Sequence, residues 1–142
     1  MSQPPNNPTM DINQLSYIYQ ILQNQESALI EQLNLLDTQI QGVITSLRSM
    51  QGLKEADKDH EIIVSLGSNA YTYAKIIDPK KILISIGKDI VIEKTIDSAV
   101  VSMEQLQKKY ENLREKLNVN YREVRSKMDE IQPILDQALR RR

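Results

Sequence analysis

The chain has no cysteine, no tryptophan and no phenylalanine, and only four glycines and one histidine. Without cysteine there is neither a disulfide framework nor thiolate chemistry, and a reducing compartment is compatible with the sequence. The absence of Phe and Trp leaves six tyrosines as the only aromatics, whereas compact cores are usually filled with large rings. The single histidine, His60, lies in a polar stretch, and with no second His and no Cys no metal site is expected. There is no Gly-rich phosphate loop, so neither ATP nor another cofactor is expected. No apolar run approaches the roughly 20 residues of a membrane span. The opening MSQPPNNPTM lacks the charged and hydrophobic regions of a signal peptide. These absences predict a cytoplasmic protein that uses no membrane and has no catalytic site. Carboxylates such as Asp129-Glu130 and Glu55-Asp57-Asp59 lie in wet, charge-mixed sequence where they stay ordinary acids.

The residues present are those of helix seams and small sheets. Apolar residues make up 40 % and charged residues 26 %, the composition of a globular or coiled-coil chain. The apolar part is almost all Ile, Leu, Val and Ala. The formal net charge of −1 is unevenly spread: the first 60 residues are acidic and residues 95–142 mildly basic. Neither part is basic enough to predict nucleic-acid binding, and Arg140-Arg141-Arg142 is the only basic cluster.

Residues 1–10 carry three prolines and no apolar periodicity, which predicts a disordered tail. From residue 11 onward the pattern predicts a single domain. Alternating steps of three and four lead from Ile12 through Leu15, Tyr19, Leu22, Glu26, Leu29, Leu33, Leu36, Ile40, Val43 and Leu47 to Met50, and only Glu26 is polar. That is a heptad seam on a helix over residues 11–55. Gly42 lies off the seam, where it costs the helix about 1 kcal/mol relative to Ala.

A second seam runs from Thr95, a candidate N-cap, through Ile96, Ala99, Met103, Leu106, Tyr110, Leu113 and Leu117. Strict alternation would next meet Asn120 and Lys127. A step of four after Leu117 instead continues the seam through Tyr121, Val124, Met128, Ile131, Leu135 and Ala138. Such a stutter locally unwinds a supercoil. Pro133 is expected to kink or loosen this helix, predicted over 95–139, near its end. Both helices come to roughly 60 to 65 Å. Matching seams on either side of a compact insert predict an antiparallel helical hairpin with both termini at one far tip.

Within the insert, residues 61–94, the period changes to two and a motif repeats: IIVSLG at 62–67 and ILISIG at 82–87. Each copy is succeeded by a return strand, so the insert reads as two β-hairpins with Gly67 and Gly87 at the turns. An isolated hairpin is marginal. The strands are therefore expected to find burial in an oligomer through Ile62, Val64, Leu66, Tyr71, Tyr73, Ile82, Ile84, Ile86, Ile90 and Ile92. Ile63, Leu83 and Val91 make the opposite face partly apolar too. The predicted fold is α+β: a long antiparallel coiled coil with two central hairpins that form a β-barrel platform on oligomerisation.

At the tip, Ile12, Leu15, Tyr17, Ile18, Tyr19, Ile21 and Leu22 cover more of the helix circumference than one partner helix buries. The other helix brings Val124, Met128, Ile131, Ile134, Leu135 and Leu139 around Pro133. This surplus makes a candidate site for exposed hydrophobic segments of other chains, with Met128 lending adaptability.

The order of these parts, with V-I-E-K-T-I-D-S-A-V opening the second helix and the stretch Val64-Ser65-Leu66-Gly67-Ser68-Asn69-Ala70-Tyr71-Thr72-Tyr73-Ala74-Lys75-Ile76 in the first hairpin, resembles the prefoldin alpha class, particularly its archaeal type. The resemblance covers residues 11–142 and departs at Thr95, where an acidic residue is common, and in the Pro-Asn-rich tail. It implies that two copies of the chain pair through their hairpins and receive four one-hairpin beta subunits, giving a platform with six coiled coils. It further implies capture of unfolded polypeptides at the coil tips, without ATP, and their transfer to a group II chaperonin. A structural scaffold binding one defined protein partner is the alternative.

Overall fold

The computed structural model describes residues 11–141, and the tail expected over residues 1–10 lies outside them. The elements run α1 (Ile12–Lys54), β1 (Glu61–Gly67), β2 (Ala70–Lys75), β3 (Lys81–Gly87), β4 (Ile90–Thr95) and α2 (Ile96–Arg140). The helices pack antiparallel and flank the hairpins, as the seams predicted.

Local chemistry sets the helix ends. Asp11 caps α1: its carboxylate accepts the Asn13 N–H at 3.3 Å and its carbonyl accepts the Leu15 N–H at 3.0 Å. The last turn tightens, with Glu55 N–H donating to the Gly52 carbonyl and Ala56 N–H to that of Leu53. At the start of α2, the Thr95 hydroxyl accepts the Ser98 N–H at 3.2 Å, the cap read from the sequence. Pro133 does not end α2, which continues to Arg140.

Each hairpin is a separate two-stranded antiparallel sheet. The two copies of the motif repeat one another in register: Gly67 faces Ala70, Gly87 faces Ile90, and each ladder carries a bulge two residues before its turn. The glycines take positive φ, +95° and +106°, but they are not the turn's central residues. Those are Ser68-Asn69 and Lys88-Asp89, all four at positive φ, the requirement of a type I′ turn, which matches the twist of the flanking strands. Lys88, with a full side chain at φ 44°, is the least suited of the four.

The chain divides into two compact units. One, Gln39–Tyr110, holds the hairpins and the adjoining helix segments. Its core is Met50, Ile96 and the fully buried Ala99, with Leu53, Ile82, Ile84, Val100 and Met103 packed around them. Lys54 and Asp97 form a 2.9 Å ion pair beside it. The other unit comprises the described residues up to Thr38 and those from Glu111 onward, the distal parts of the two helices. There Leu22, Leu36 and Met128 are buried.

Burial along α2 tracks the stutter. Leu117, Tyr121 and Val124 are half-buried and Met128 is buried, while Asn120 and Lys127 face water. Leu113 is the one expected seam position of α2 that is exposed, at 45 %. At 100° per residue, each step of four advances the seam by about 40°. Two such steps in succession carry Leu113 to its margin.

A β-carbon added at Gly67 or Gly87 would meet open space, so the cost of Ala there is conformational alone. Gly67→Ala and Gly87→Ala are each expected to destabilise the chain by about 1–2 kcal/mol, and Lys88→Gly to raise the thermal midpoint; a thermal unfolding series checks both.

Candidate functional site

Two apolar surfaces stand out, one in each unit. In the distal unit the seam takes part of the apolar set for itself. Leu22 and Met128 are buried, Met128 to 2 % exposure, and Leu15, Tyr19, Val124, Ile131 and Leu135 are half-buried. Met128, read from the sequence as an adaptable contact, is thus committed to helix–helix packing. At the helix ends the side chains left in water are Ile12, Tyr17, Ile18, Ile21, Ile134 and Leu139, of which Tyr17 and Leu139 are about two-thirds exposed; further along the same helix segments Ile30, Leu35, Leu113 and Val119 are exposed as well. Tyr17 and Ile18 line a shallow groove with Asn13 and Gln14.

Polar contacts of this unit lie on its surface and at seam positions. Glu26, the one polar residue in the α1 seam, receives a hydrogen bond from Arg125 of α2 at 3.1 Å. The same guanidinium reaches Asp129 at 2.8 Å. The hydrogen bond to Glu26, then the charge of Asp129, raises the Arg125 pKa above its ordinary value, so the group is permanently charged. Arg114 pairs with Asp37 at 2.7 Å, and the Tyr19 hydroxyl donates to the Gln132 side chain at 3.1 Å. None of these partners was assigned from the sequence. The lone Glu26 in an apolar seam was the available signal, since a half-buried carboxylate calls for a cation on the facing helix.

In the other unit the two hairpins differ. The second turns Ile82, Ile84, Ile92 and Lys94, two facing cross-strand pairs, toward its own helices. Ile82 and Ile84 pack on the core, and the Lys94 ammonium donates to the Ser102 hydroxyl of α2 at 3.2 Å. These two isoleucines, expected to find burial in other chains, already have partners in their own. Leu83, Ile86, Ile90 and Val91 remain exposed. In the first hairpin only Ile62 and Ala74 are half-buried, and Ile63, Val64, Leu66, Tyr71 and Tyr73 are open to water, Tyr73 to 78 %. Between the hairpins, Leu53, Ile76, Ile77, Ile82 and Leu83 line an open groove of about 560 Å³.

Among the described residues no three His, Asp or Glu side chains gather as a metal site, and no helix is long and apolar enough to cross a membrane. His60 and the paired carboxylates are exposed. Two long antiparallel helices flanking a pair of β-hairpins, with apolar side chains left exposed on both, define the class of coiled-coil proteins that carry a hairpin insert.

Comparison with known proteins makes the class specific. The family model described as Prefoldin subunit matches residues 22–141. A prefoldin subunit alpha of Methanococcus maripaludis is 32 % identical over 98 residues, covering 69 % of this chain and 66 % of that protein. Prefoldin subunit alpha 1 of Thermococcus kodakarensis is 29 % identical over 72 % of this chain and 70 % of its own length. The prefoldin subunit alpha of Pyrococcus horikoshii is 27 % identical over 85 % and 82 %. The match thus spans about two thirds of the first two relatives' length. The fold is that of a chain in the cryo-EM structure of filamentous PFD from Methanocaldococcus jannaschii, with a TM-score of 0.70 over 81 % of this chain and 95 % of that one, at 23 % identity. The chain belongs to the prefoldin subunit family, in its alpha class. This is a chaperone family without enzymatic chemistry.

The division between seam and surface is measurable by chemical denaturation. Met128→Ala is expected to cost about 2–5 kcal/mol because it opens a cavity in the seam. Leu139→Ala, changing an exposed residue, is expected to cost about 0.5 kcal/mol or less.

Proposed function

We propose that the chain is a subunit of an ATP-independent chaperone that captures unfolded polypeptides at the free ends of its helices and delivers them to a group II chaperonin in the cytoplasm. The observation that carries this reading is the group of exposed apolar side chains gathered at the ends of the two helices: Ile12, Tyr17, Ile18, Ile21, Ile134 and Leu139. Apolar surface of this kind binds exposed hydrophobic segments of other chains by removing both from water, which requires no nucleotide. Leu15, Tyr19, Val124, Ile131 and Leu135 lie half-buried in the same unit and add to this apolar surface.

The open hairpin faces support assembly. Two copies of the chain and four beta subunits close a β-barrel platform through the faces that carry Val64, Leu66, Tyr71, Tyr73, Ile86 and Ile90, because hairpins with uncovered apolar faces are marginal on their own. Gathering several tips in one complex then multiplies weak contacts with a single client.

The direct test dilutes a denatured, unrelated protein from guanidinium into the purified chain, alone and with a beta subunit, and monitors light scattering without nucleotide. Suppression that grows on assembly is expected; an intact complex that suppresses nothing would overturn the reading in favour of a scaffold for one folded partner. Two sets of variants separate the surfaces. Ile12→Ser, Ile18→Ser and Leu139→Ser together should weaken suppression severalfold while native mass measurement finds the complex intact. Leu66→Asp, Tyr73→Asp and Ile86→Asp together should abolish the complex while circular dichroism retains the helical signal.

A further inference from the structure

Three polar contacts between α1 and α2 in the distal unit, Tyr19 with Gln132, Glu26 with Arg125 and Asp37 with Arg114, share a single register. Seven residues separate Tyr19 from Glu26, and seven separate Arg125 from Gln132. Eleven separate Glu26 from Asp37, and eleven separate Arg114 from Arg125. Every step back along α1 is matched by an equal step forward along α2. The antiparallel alignment is therefore the same on both sides of the stutter, which lies between Arg114 and Arg125.

The stutter is also where alignment is least determined by apolar packing. There α1 keeps its alternation of three and four while α2 takes two successive steps of four. Aliphatic side chains of similar size accept neighbouring holes at small cost, and apolar burial carries no direction. A half-buried carboxylate is not so tolerant. Glu26 is 17 % exposed, and a shift of the helices would leave it without its cation in a largely apolar surrounding. Arg125 is held in place from the other side by Asp129, one turn further along α2, and so reaches Glu26 in one arrangement.

We propose that the Glu26–Arg125 pair, braced by Asp129, is the register lock of the distal coil: it selects one alignment of α1 on α2 past the stutter rather than adding to stability. Partly buried ion pairs contribute little net stability but are costly to break by removing one partner, and polar groups in coiled-coil seams are known to specify register. The lock concerns the chain's own alignment and does not rest on client capture.

The absence of native cysteine makes the test direct. Gln20→Cys and Glu130→Cys, both exposed positions, carry nitroxide labels in the full chain, and pulsed electron resonance reads the distance between them. The parent is expected to give one narrow peak. Glu26→Leu with Arg125→Leu is expected to leave the urea midpoint unchanged or higher, yet to broaden or split that peak and to speed amide exchange severalfold over residues 12–38. A single narrow peak in this double variant overturns the proposal. Should the double variant not fold, Glu26→Gln is read in the same way, with a broadened peak expected and an unchanged one overturning it.

Discussion

Burial of aliphatic side chains between α1 and α2 is the constraint on which the rest of the structure depends. With no Phe or Trp and no fully buried Tyr among the described residues, the chain condenses no compact core around large rings, and a long helix in isolation is held only by its own marginal backbone preference. Each helix must lay its Leu, Ile and Val stripe on the other. Once this is done, Leu22, Leu36, Ile40, Val43, Met50 and Met128 are used up. The apolar side chains still exposed are surplus to the fold: they lie on the hairpins, at the helix ends and, as Ile30, Leu35, Val101 and Val119, singly along the helices between. Function is read from the residues that the seam does not consume.

The two hairpins show how one repeated motif is given two situations. Their ladders, bulges and turns are alike residue for residue. The difference comes from the segment that each copy leads into. β4 runs directly into α2, so Ile82 and Ile84 are brought against Met50, Ile96 and Ala99, and Lys94 against Ser102. The first hairpin lacks such an anchor, and apart from the half-buried Ile62 and Ala74 its faces stay open. Within one chain the second copy is thus half structural, and the first is almost wholly available to partners.

The polar contacts of the distal helices have a different task from the apolar ones. Surface ion pairs such as Asp37–Arg114, each partner about half exposed, add little to stability. Their common register matters more, because a seam of interchangeable aliphatic residues stabilises several alignments almost equally. Direction is supplied by the few groups that cannot be moved without losing a partner. Glu26 is the clearest of them: it weakens the seam as an apolar surface and sharpens it as an alignment.

Much of this was legible in the sequence because it depends on period and local chemistry. The 3.5-residue repeat located both helices, the change to a period of two located the hairpins, Thr95 announced its cap, and Asn120 and Lys127 betrayed the stutter by being polar where a leucine was due. Asp11 as a cap, Lys88 at positive φ and the margin position of Leu113 were not read, since each depends on backbone angles or on accumulated helical phase. The sequence by itself determined which residues are apolar, in what period, and that their number exceeds the capacity of one helix pair to bury them. Only the tertiary structure decided how that excess is divided, placing Met128 inside the seam, Ile84 on the chain's own core, and Tyr17, Leu139, Leu66 and Tyr73 in water. The physical reason is that burial is a property of the pair of surfaces in contact, and a sequence carries only one of them at a time.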